Sequence, residues 1–261
     1  MNVTFEMVRS SPEIRTYITQ ADASLTALGF TEHSFAHVTK CAEVAARILT
    51  QLGYTPKEVE LARIAAYMHD IGNVVNRHDH ALSGATMAFR ILDKMGMEPP
   101  DVAAVITAIG HHDDSTAYPV NAIAAALILA DKTDVRRSRV RNKDMSTFDI
   151  HDRVNYSVER SEVLLDLPGR TVTLSLSINT EVCAVMDYFE IFLQRMLLSR
   201  KAAETLDLKF RPGDQRTDPA LVPRSPPRHR FSLFSGRLPF GRRPALFCQS
   251  PAPALCNTTV T

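Results

Sequence analysis

The segment 122–130 reads AIAAALILA, nine apolar residues in succession, and Asp131 follows it directly. A helix made of such residues has no polar face, so it must be buried on all sides. The segment is too short to cross a bilayer, which takes about 18–20 apolar residues. We therefore expect a buried central helix with other helices around it and a carboxylate at its end.

Helical signals repeat through residues 1–135. Thr55, Pro56 and Glu58 have the pattern of a helix start, with Thr as the cap, Pro at the first position and Glu three residues after the cap. The apolar residues that come after them recur with a 3.6-residue period. Besides the central segment, helices are predicted over residues 12–29, 31–53, 56–72, 80–95 and 100–110.

The pattern changes after residue 135. Residues 171–178 read TVTLSLSI, a strict alternation that predicts a half-buried strand. Residues 154–167 precede them across a Pro-Gly pair, and together the two segments predict a hairpin. Residues 180–206 return to a helical period and predict one long helix.

The predicted fold class is mainly α, a helical bundle with a small α+β extension. The bundle spans residues 1–135, and the extension, a hairpin plus a long helix, spans 136–210. Residues 211–261 contain nine of the 15 prolines and eight arginines, without persistent periodicity. For that segment we expect no stable fold, and we interpret it as a disordered or aberrant tail.

The composition of the chain limits where we expect the protein to be located and which partners we expect it to bind. The chain shows no CxxC pair, no secretory signal and no apolar run of membrane-spanning length, which indicates a cytoplasmic protein without membrane contact. Residues 211–261 carry a net charge of +6 and the whole chain carries +1, so residues 1–210 carry −5. A mildly acidic body argues against nucleic acid as a partner.

Several histidines and aspartates are candidate ligands of a cation. The candidate ligands fall into tight groups along the chain: His33 and His37; His69 and Asp70; His80; His111 and His112; and Asp131. His33 and His37 lie four residues apart on a predicted helix and therefore share a face. A carboxylate such as Asp131, at the end of a buried helix, needs a compensating cation. We interpret His78 and His151, in contrast, as surface turn residues.

These residue types predict a metal centre. Imidazole and carboxylate ligands together suit divalent transition metals, foremost Fe or Mn, with Zn, Ni or Co as alternatives. Their number exceeds what one tetrahedral ion needs, which favours two metals with a bridging carboxylate. Two adjacent ions suit the hydrolysis of phosphoesters, because they activate water and neutralise developing charge.

The order His37, His69-Asp70, Asp131 resembles the HD superfamily of metal-dependent phosphohydrolases, which are helical proteins. The apolar helix that runs into His69-Asp70-Ile71-Gly72 has the family's usual HDIG setting. The resemblance implies that His69 and Asp70 lie at the catalytic centre, with Asp70 bridging the ions. It covers about residues 30–135.

A narrower resemblance concerns the additional histidines. His80 and the His111-His112 pair resemble the extra ligands of the multi-metal branch that includes HD-GYP phosphodiesterases, where a residue at the place of His33 can also be a ligand. Asn73 and Ala117 depart from the HD-GYP pattern, at positions where that branch often has Lys and Gly. We therefore do not expect cyclic-di-GMP as the substrate.

The substrate is expected to be a nucleotide or another phosphorylated small molecule. Lys132, Arg136 and Arg137 come closely after Asp131 and can hold its phosphate groups. The alternative for these three residues is a solvated linker. Two other functions stay open, an HD-type di-iron oxygenase and a non-catalytic nucleotide-binding regulatory module. A homodimer is a further expectation, because a two-stranded hairpin is marginal unless it packs on its own chain or on a partner.

Overall fold

The computed structural model describes residues 3–214. The first part of the chain folds into seven α-helices connected by short loops. They are α1 (Phe5–Ser10), α2 (Pro12–Ala27), α3 (Phe35–Gln51), α4 (Pro56–Met68), α5 (His80–Lys94), α6 (Pro99–Gly110) and α7 (Ala122–Lys132).

The helix boundaries follow the local signals in the sequence. At the start of α4, the hydroxyl of Thr55 accepts a hydrogen bond from the backbone N–H of Glu58, and the Glu58 carboxylate accepts one from the N–H of Thr55. This is the predicted capping box. Gly53 comes after α3 with a φ of 80°, a left-handed conformation that favours glycine at a helix end.

Helix α7 lies at the centre of the bundle. Residues 123–130 of its apolar segment are buried and Ala122 is partly buried. The helix packs against α3, α4, α6 and a later helix, α10 (Leu193–Thr205). The buried central helix predicted from the sequence is therefore confirmed. Its last turn brings Asp131 into the interior of the bundle.

The second part of the chain adds helices and a small sheet. In chain order its elements are α8 (Ile150–Ser157), β1 (Val158–Asp166), β2 (Thr171–Ile178), α9 (Val185–Ile191), α10 and β3 (Lys209–Asp214). The sheet has the order β1-β2-β3. Strands β1 and β2 form the predicted antiparallel hairpin, with Val163 opposite Leu174. Strand β3 runs parallel to β2, with Phe210 opposite Val172. The fold is mainly α with a small α+β extension, as the sequence predicts.

Two predicted elements of the extension differ from the structure. The first hairpin strand begins at Val158 and not at residue 154, because Asp149 caps helix α8 by accepting a hydrogen bond from the N–H of Asp152 at 2.7 Å. The predicted long helix is two helices that meet at Phe192. The break places the Phe192 ring in a small core, 5.1 Å from the ring centre of Tyr188.

The hairpin packs on the helices of its own chain. Val163 and Val172 belong to the same buried cluster as the residues of α7. The guanidinium of Arg47, on α3, donates to the backbone oxygen of Val163 at 3.0 Å. A two-stranded hairpin is expected to need a packing surface on its own chain or on a partner, and here its own chain provides that surface.

Strand β3 continues to Asp214, so the segment predicted to lack a stable fold begins with four residues of a strand whose backbone pairs with β2. The rest of the predicted tail lies outside the described residues. Between residues 3 and 214, no helix combines the length and the apolar character that a membrane span requires.

Candidate metal centre

Six of the predicted ligands meet in the interior of the bundle, although they come from five helices. They are His37 on α3, His69 and Asp70 directly after α4, His80 at the start of α5, His112 after α6 and Asp131 on α7. Five of the six lie at or beside a helix end, where the backbone does not have to continue the helix and the side chain can take another direction. His69 and Asp70 can therefore face the same point although they are adjacent in sequence.

Asp70 lies between two pairs of histidines. Its Oδ2 is 3.1 Å from Nε2 of His69 and 3.6 Å from Nε2 of His37. Its Oδ1 is 3.6 Å from Nε2 of His80 and 4.0 Å from Nε2 of His112. Each carboxylate oxygen thus faces a different pair of imidazoles.

Asp131 adds a second carboxylate on one side only. Its Oδ1 lies 3.3 Å from Nε2 of His37 and 3.8 Å from Nε2 of His69. Its Oδ2 pairs with the ammonium group of Lys132 at 2.7 Å. One side of Asp70 therefore offers two imidazoles and a second carboxylate, and the other side offers His80 and His112.

The imidazoles are oriented by their other ring nitrogen. Nδ1 of His69 lies 2.8 Å from the backbone oxygen of Ala66, and Nδ1 of His112 lies 2.6 Å from that of Ile109. Nδ1 of His80 has the same kind of partner, the backbone oxygen of Arg77 at 3.1 Å. A carbonyl oxygen only accepts hydrogen bonds, so Nδ1 carries the proton and the lone pair of Nε2 points into the cluster.

His37 is oriented by a carboxylate instead. Its Nδ1 donates to Oδ2 of Asp134 at 2.8 Å. Asp134 is buried and also pairs with Lys40 at 2.8 Å and with Arg136 at 2.9 Å. Asp134 is not among the residues predicted from the sequence. Its spacing of three residues from Asp131, one turn beyond the end of the apolar helix, is the signal that was available.

Burial and the two carboxylates shift the pKa values of the clustered groups. Burial lowers the pKa of His112 to about 3, and burial also lowers the pKa of His80. Burial raises the pKa of Asp70, but His69 and the other imidazoles outweigh it and bring the pKa well below its usual value. Burial lowers the pKa of His69, but Asp70 and Asp131 raise it above its usual value, so the carboxylates favour a positive charge at this point.

Two buried atoms at the centre have no adequate partner. Nε2 of His69 and Oδ2 of Asp70 lie 3.1 Å apart, yet neither makes a hydrogen bond of acceptable geometry within residues 3–214. Burying such atoms without a partner is costly. A metal ion between the imidazoles and the carboxylates would satisfy both, and imidazole with carboxylate is a donor set for transition metals. The residues present therefore fit a metal centre.

The structure does not bring His111 and His33 into this cluster of candidate ligand atoms. His111 is half-buried at the end of α6, where its neighbour His112 takes the inward position. His33 lies next to the cluster, with its ring centre 5.4 Å from that of His37. Its Nδ1 lies 2.7 Å from the backbone oxygen of Thr31, so it is oriented in the same way as the inner histidines.

A cavity of about 370 Å³ opens onto the cluster. Lys132, a predicted substrate-binding residue, is among the residues that line it. Arg136 and Arg137 lie elsewhere: Arg136 pairs with Asp134, and Arg137 lies over the ring of Tyr156. His151, predicted as a surface turn residue, is exposed on α8 and also lines the cavity. Arg139, another of the basic residues after Asp131, also lines the cavity. Lining residues that were not predicted for the site include Arg77, Asp114, Asp149, Asp152, Asn155, Phe192 and Arg195.

Asn73 contacts the carboxylate of Asp70. Its amide nitrogen donates to Oδ1 of Asp70 at 2.9 Å, and its amide oxygen accepts from Arg77 at 3.3 Å. The residue that departs from the HD-GYP pattern thus connects Asp70 to a cationic side chain of the cavity.

Comparison with known protein families gives a match to part of the chain. Residues 34–153 match the family model of the HD domain. The matched segment begins immediately before α3 and ends within α8, so it contains all six clustered ligands and extends beyond the resemblance seen in the sequence. No curated protein matches the chain.

Proposed function

We propose that the chain hydrolyses a phosphoester with two divalent transition metals, because residues 34–153 match the HD domain, whose family consists mostly of metal-dependent hydrolases. The proposed substrate is a nucleotide or another phosphorylated small molecule. One ion would be held by His37, His69, Asp131 and Oδ2 of Asp70. The other would be held by His80, His112 and Oδ1 of Asp70.

The position of Asp70 is the observation that carries this proposal. A site for a single ion would need one face of one carboxylate, whereas each oxygen of Asp70 faces its own pair of buried imidazoles. Fe and Mn are the foremost candidates for this donor set, with Zn, Ni or Co as alternatives. When bound, two such ions would activate water and stabilise the charge that develops on a phosphoester.

The charges of the cavity explain why an anionic substrate would depend on the metals. The lining holds four cationic side chains, Arg77, Lys132, Arg139 and Arg195, and five carboxylates, Asp70, Asp114, Asp131, Asp149 and Asp152. With neutral histidines this leaves one excess negative charge. Two divalent ions would change the balance to three excess positive charges, which favours a phosphate group.

Lys132 and Arg77 would bind the phosphate oxygens that do not react. Burial lowers the pKa of Lys132, but Asp131 and Asp114 raise it above its usual value, so its ammonium group stays charged. Lys132 lies 2.7 Å from Asp131 on one side of the centre. Arg77 lies 3.4 Å from Nε2 of His80 on the other side. The two cations thus flank the proposed pair of ions.

The test is hydrolysis by the metal-loaded full chain of a panel of nucleotides, cyclic dinucleotides and phosphomonoesters. We expect release of phosphate or of a nucleoside monophosphate with Mn or Fe. Asp70→Asn and His80→Gln should each lower the rate by at least about 10–100-fold, the loss usual for partners of metal ligands.

His78→Gln is the matched control for His80→Gln. His78 is two residues away and its side chain is 86% exposed, so its replacement should leave the rate unchanged. A fully metallated protein that turns over no compound of the panel would contradict the proposal.

A further inference from the structure

One cationic side chain of the cavity comes from outside the HD-domain match. Arg195 lies on α10, beyond the matched residues 34–153, yet it lines the same cavity as Asp70 and Asp131. The C-terminal extension therefore supplies part of the wall of the proposed active site.

The guanidinium of Arg195 is held in a defined orientation. Its central carbon lies 4.7 Å from the ring centre of Phe192, over the face of the ring. Its Nε lies 3.3 Å from Oδ2 of Asp114. A planar guanidinium held on an aromatic ring and fixed through Nε loses little further freedom when it binds an anion.

The same carboxylate also positions Lys132. Oδ1 of Asp114 lies 3.1 Å from the ammonium group of Lys132, which itself lies 2.7 Å from Asp131. Asp114 thus holds two cations, one on each oxygen, next to the candidate metal ligand Asp131. With Asp131 counted, two carboxylates face these two cations, so the group is neutral. Divalent ions at the adjacent ligands would add the positive charge that favours an anion beside it.

The terminal amino groups of Arg195 are available for a ligand. Within residues 3–214 its ion pair is with Asp114, through Nε, and its side chain is 31% exposed. Two parallel N–H groups on a planar fork match two oxygens of a phosphate. Lys132, next to it, offers a point charge.

We infer that Arg195 binds the phosphate group of the substrate, with Lys132 beside it, so that the extension completes the substrate site. This inference rests on the proposed function. The same contacts also describe a purely structural clamp, in which Arg195 only fastens α10 to the HD domain through Asp114. The two roles predict different effects on phosphate binding when each partner is removed in turn.

The experiment measures the binding of inorganic phosphate to the Mn-loaded full chain by titration calorimetry. Arg195→Gln should weaken phosphate binding by roughly tenfold or more, the usual effect of losing a hydrogen bond to a charged group. Asp114→Asn removes the charge of the same ion pair, but its amide oxygen can still accept from Nε and the Phe192 ring still supports the guanidinium. Because this variant also lacks a competing negative charge, it should bind phosphate at least as tightly as the wild type.

Arg200→Gln is the matched control, because Arg200 lies on the same helix, is 57% exposed and pairs with Glu204. It should bind phosphate like the wild type. Arg195→Lys keeps the charge without the fork and should give an intermediate affinity. It also provides a folded variant if Arg195→Gln proves unstable in thermal unfolding.

Two results would overturn the inference: wild-type affinity in Arg195→Gln, or equal losses in Arg195→Gln and Asp114→Asn, which would indicate the clamp. Either of these in a protein that hydrolyses phosphoesters leaves the proposed function intact. A metal-loaded wild type that neither binds phosphate nor hydrolyses any phosphoester contradicts both.

Discussion

The Asp134→Asn variant tests whether Asp134, which lies outside the ligand cluster, affects metal binding and the stability of the fold. Asp134 is buried and accepts the Nδ1 proton of His37 at 2.8 Å. Its carboxylate also compensates Lys40 at 2.8 Å, Arg136 at 2.9 Å and Arg139 at 3.7 Å. Asn has nearly the same shape but no charge, so it leaves these cations without their common anion and His37 without a charged acceptor.

The expected loss has two parts. Breaking a buried ion pair by removing one partner costs about 3–5 kcal/mol. The lower end applies here, because the side chains of Lys40 and Arg136 are 34% and 22% exposed and are partly solvated. A loss of about 3 kcal/mol corresponds to a decrease of roughly 6–12 °C in Tm for a domain of this size. Loss of the group that orients a ligating histidine should weaken metal binding by about 10–100-fold.

The assays are thermal unfolding and a metal titration on the same samples. Asp93→Asn is the control, since Asp93 is an exposed carboxylate on α5, and it should match the wild type in both. If Asp134→Asn had wild-type metal affinity, Asp134 would not orient His37 for metal binding. If its Tm were unchanged, the surrounding cations would not depend on its charge.

Two further predictions concern backbone packing and linkage. Gly72→Ala should prevent stable folding, because a Cβ at Gly72 would lie 2.0 Å from the backbone oxygen of His80. Gly110→Ala is the control and should be tolerated, because the nearest atom to its Cβ would be 3.7 Å away. Circular dichroism and thermal unfolding distinguish these outcomes, and a folded Gly72→Ala would contradict this close packing. Removal of metal with a chelator should lower Tm, and Mn at about 100 times its dissociation constant should raise it by an amount equivalent to about 2.7 kcal/mol per site. A Tm that does not respond to either treatment would indicate that no metal binds the folded protein.

The sequence predicts the parts of the fold that have local causes. Thr55, Pro56 and Glu58 mark the start of α4 because a capping box lies within four residues. The apolar segment before Asp131 marks the central helix because its composition excludes exposure. The division of the predicted long helix at Phe192 has no such local cause, since it depends on the packing of the Phe192 ring against Tyr188 in a small core.

The residues of the site also divide into those with a local signal in the sequence and those that depend on distant contacts. His69, Asp70 and Asp131 are visible in the sequence because each is placed at the end of an apolar helix. Asp134 has only its three-residue spacing from Asp131 as a signal and Arg195 has none, because each acts through a residue distant in the chain. Asp134 bonds a histidine 97 residues away, and Arg195 pairs with a carboxylate 81 residues away. Only the packed structure brings these residues together.

Anomalous X-ray scattering from crystals of the metal-loaded protein tests most directly whether Asp70 bridges two metals. We expect two peaks, one on each side of Asp70, with the first beside His37, His69 and Asp131 and the second beside His80 and His112. One peak shared by all the ligands, or none, would contradict the assignment of Asp70 as a bridging carboxylate.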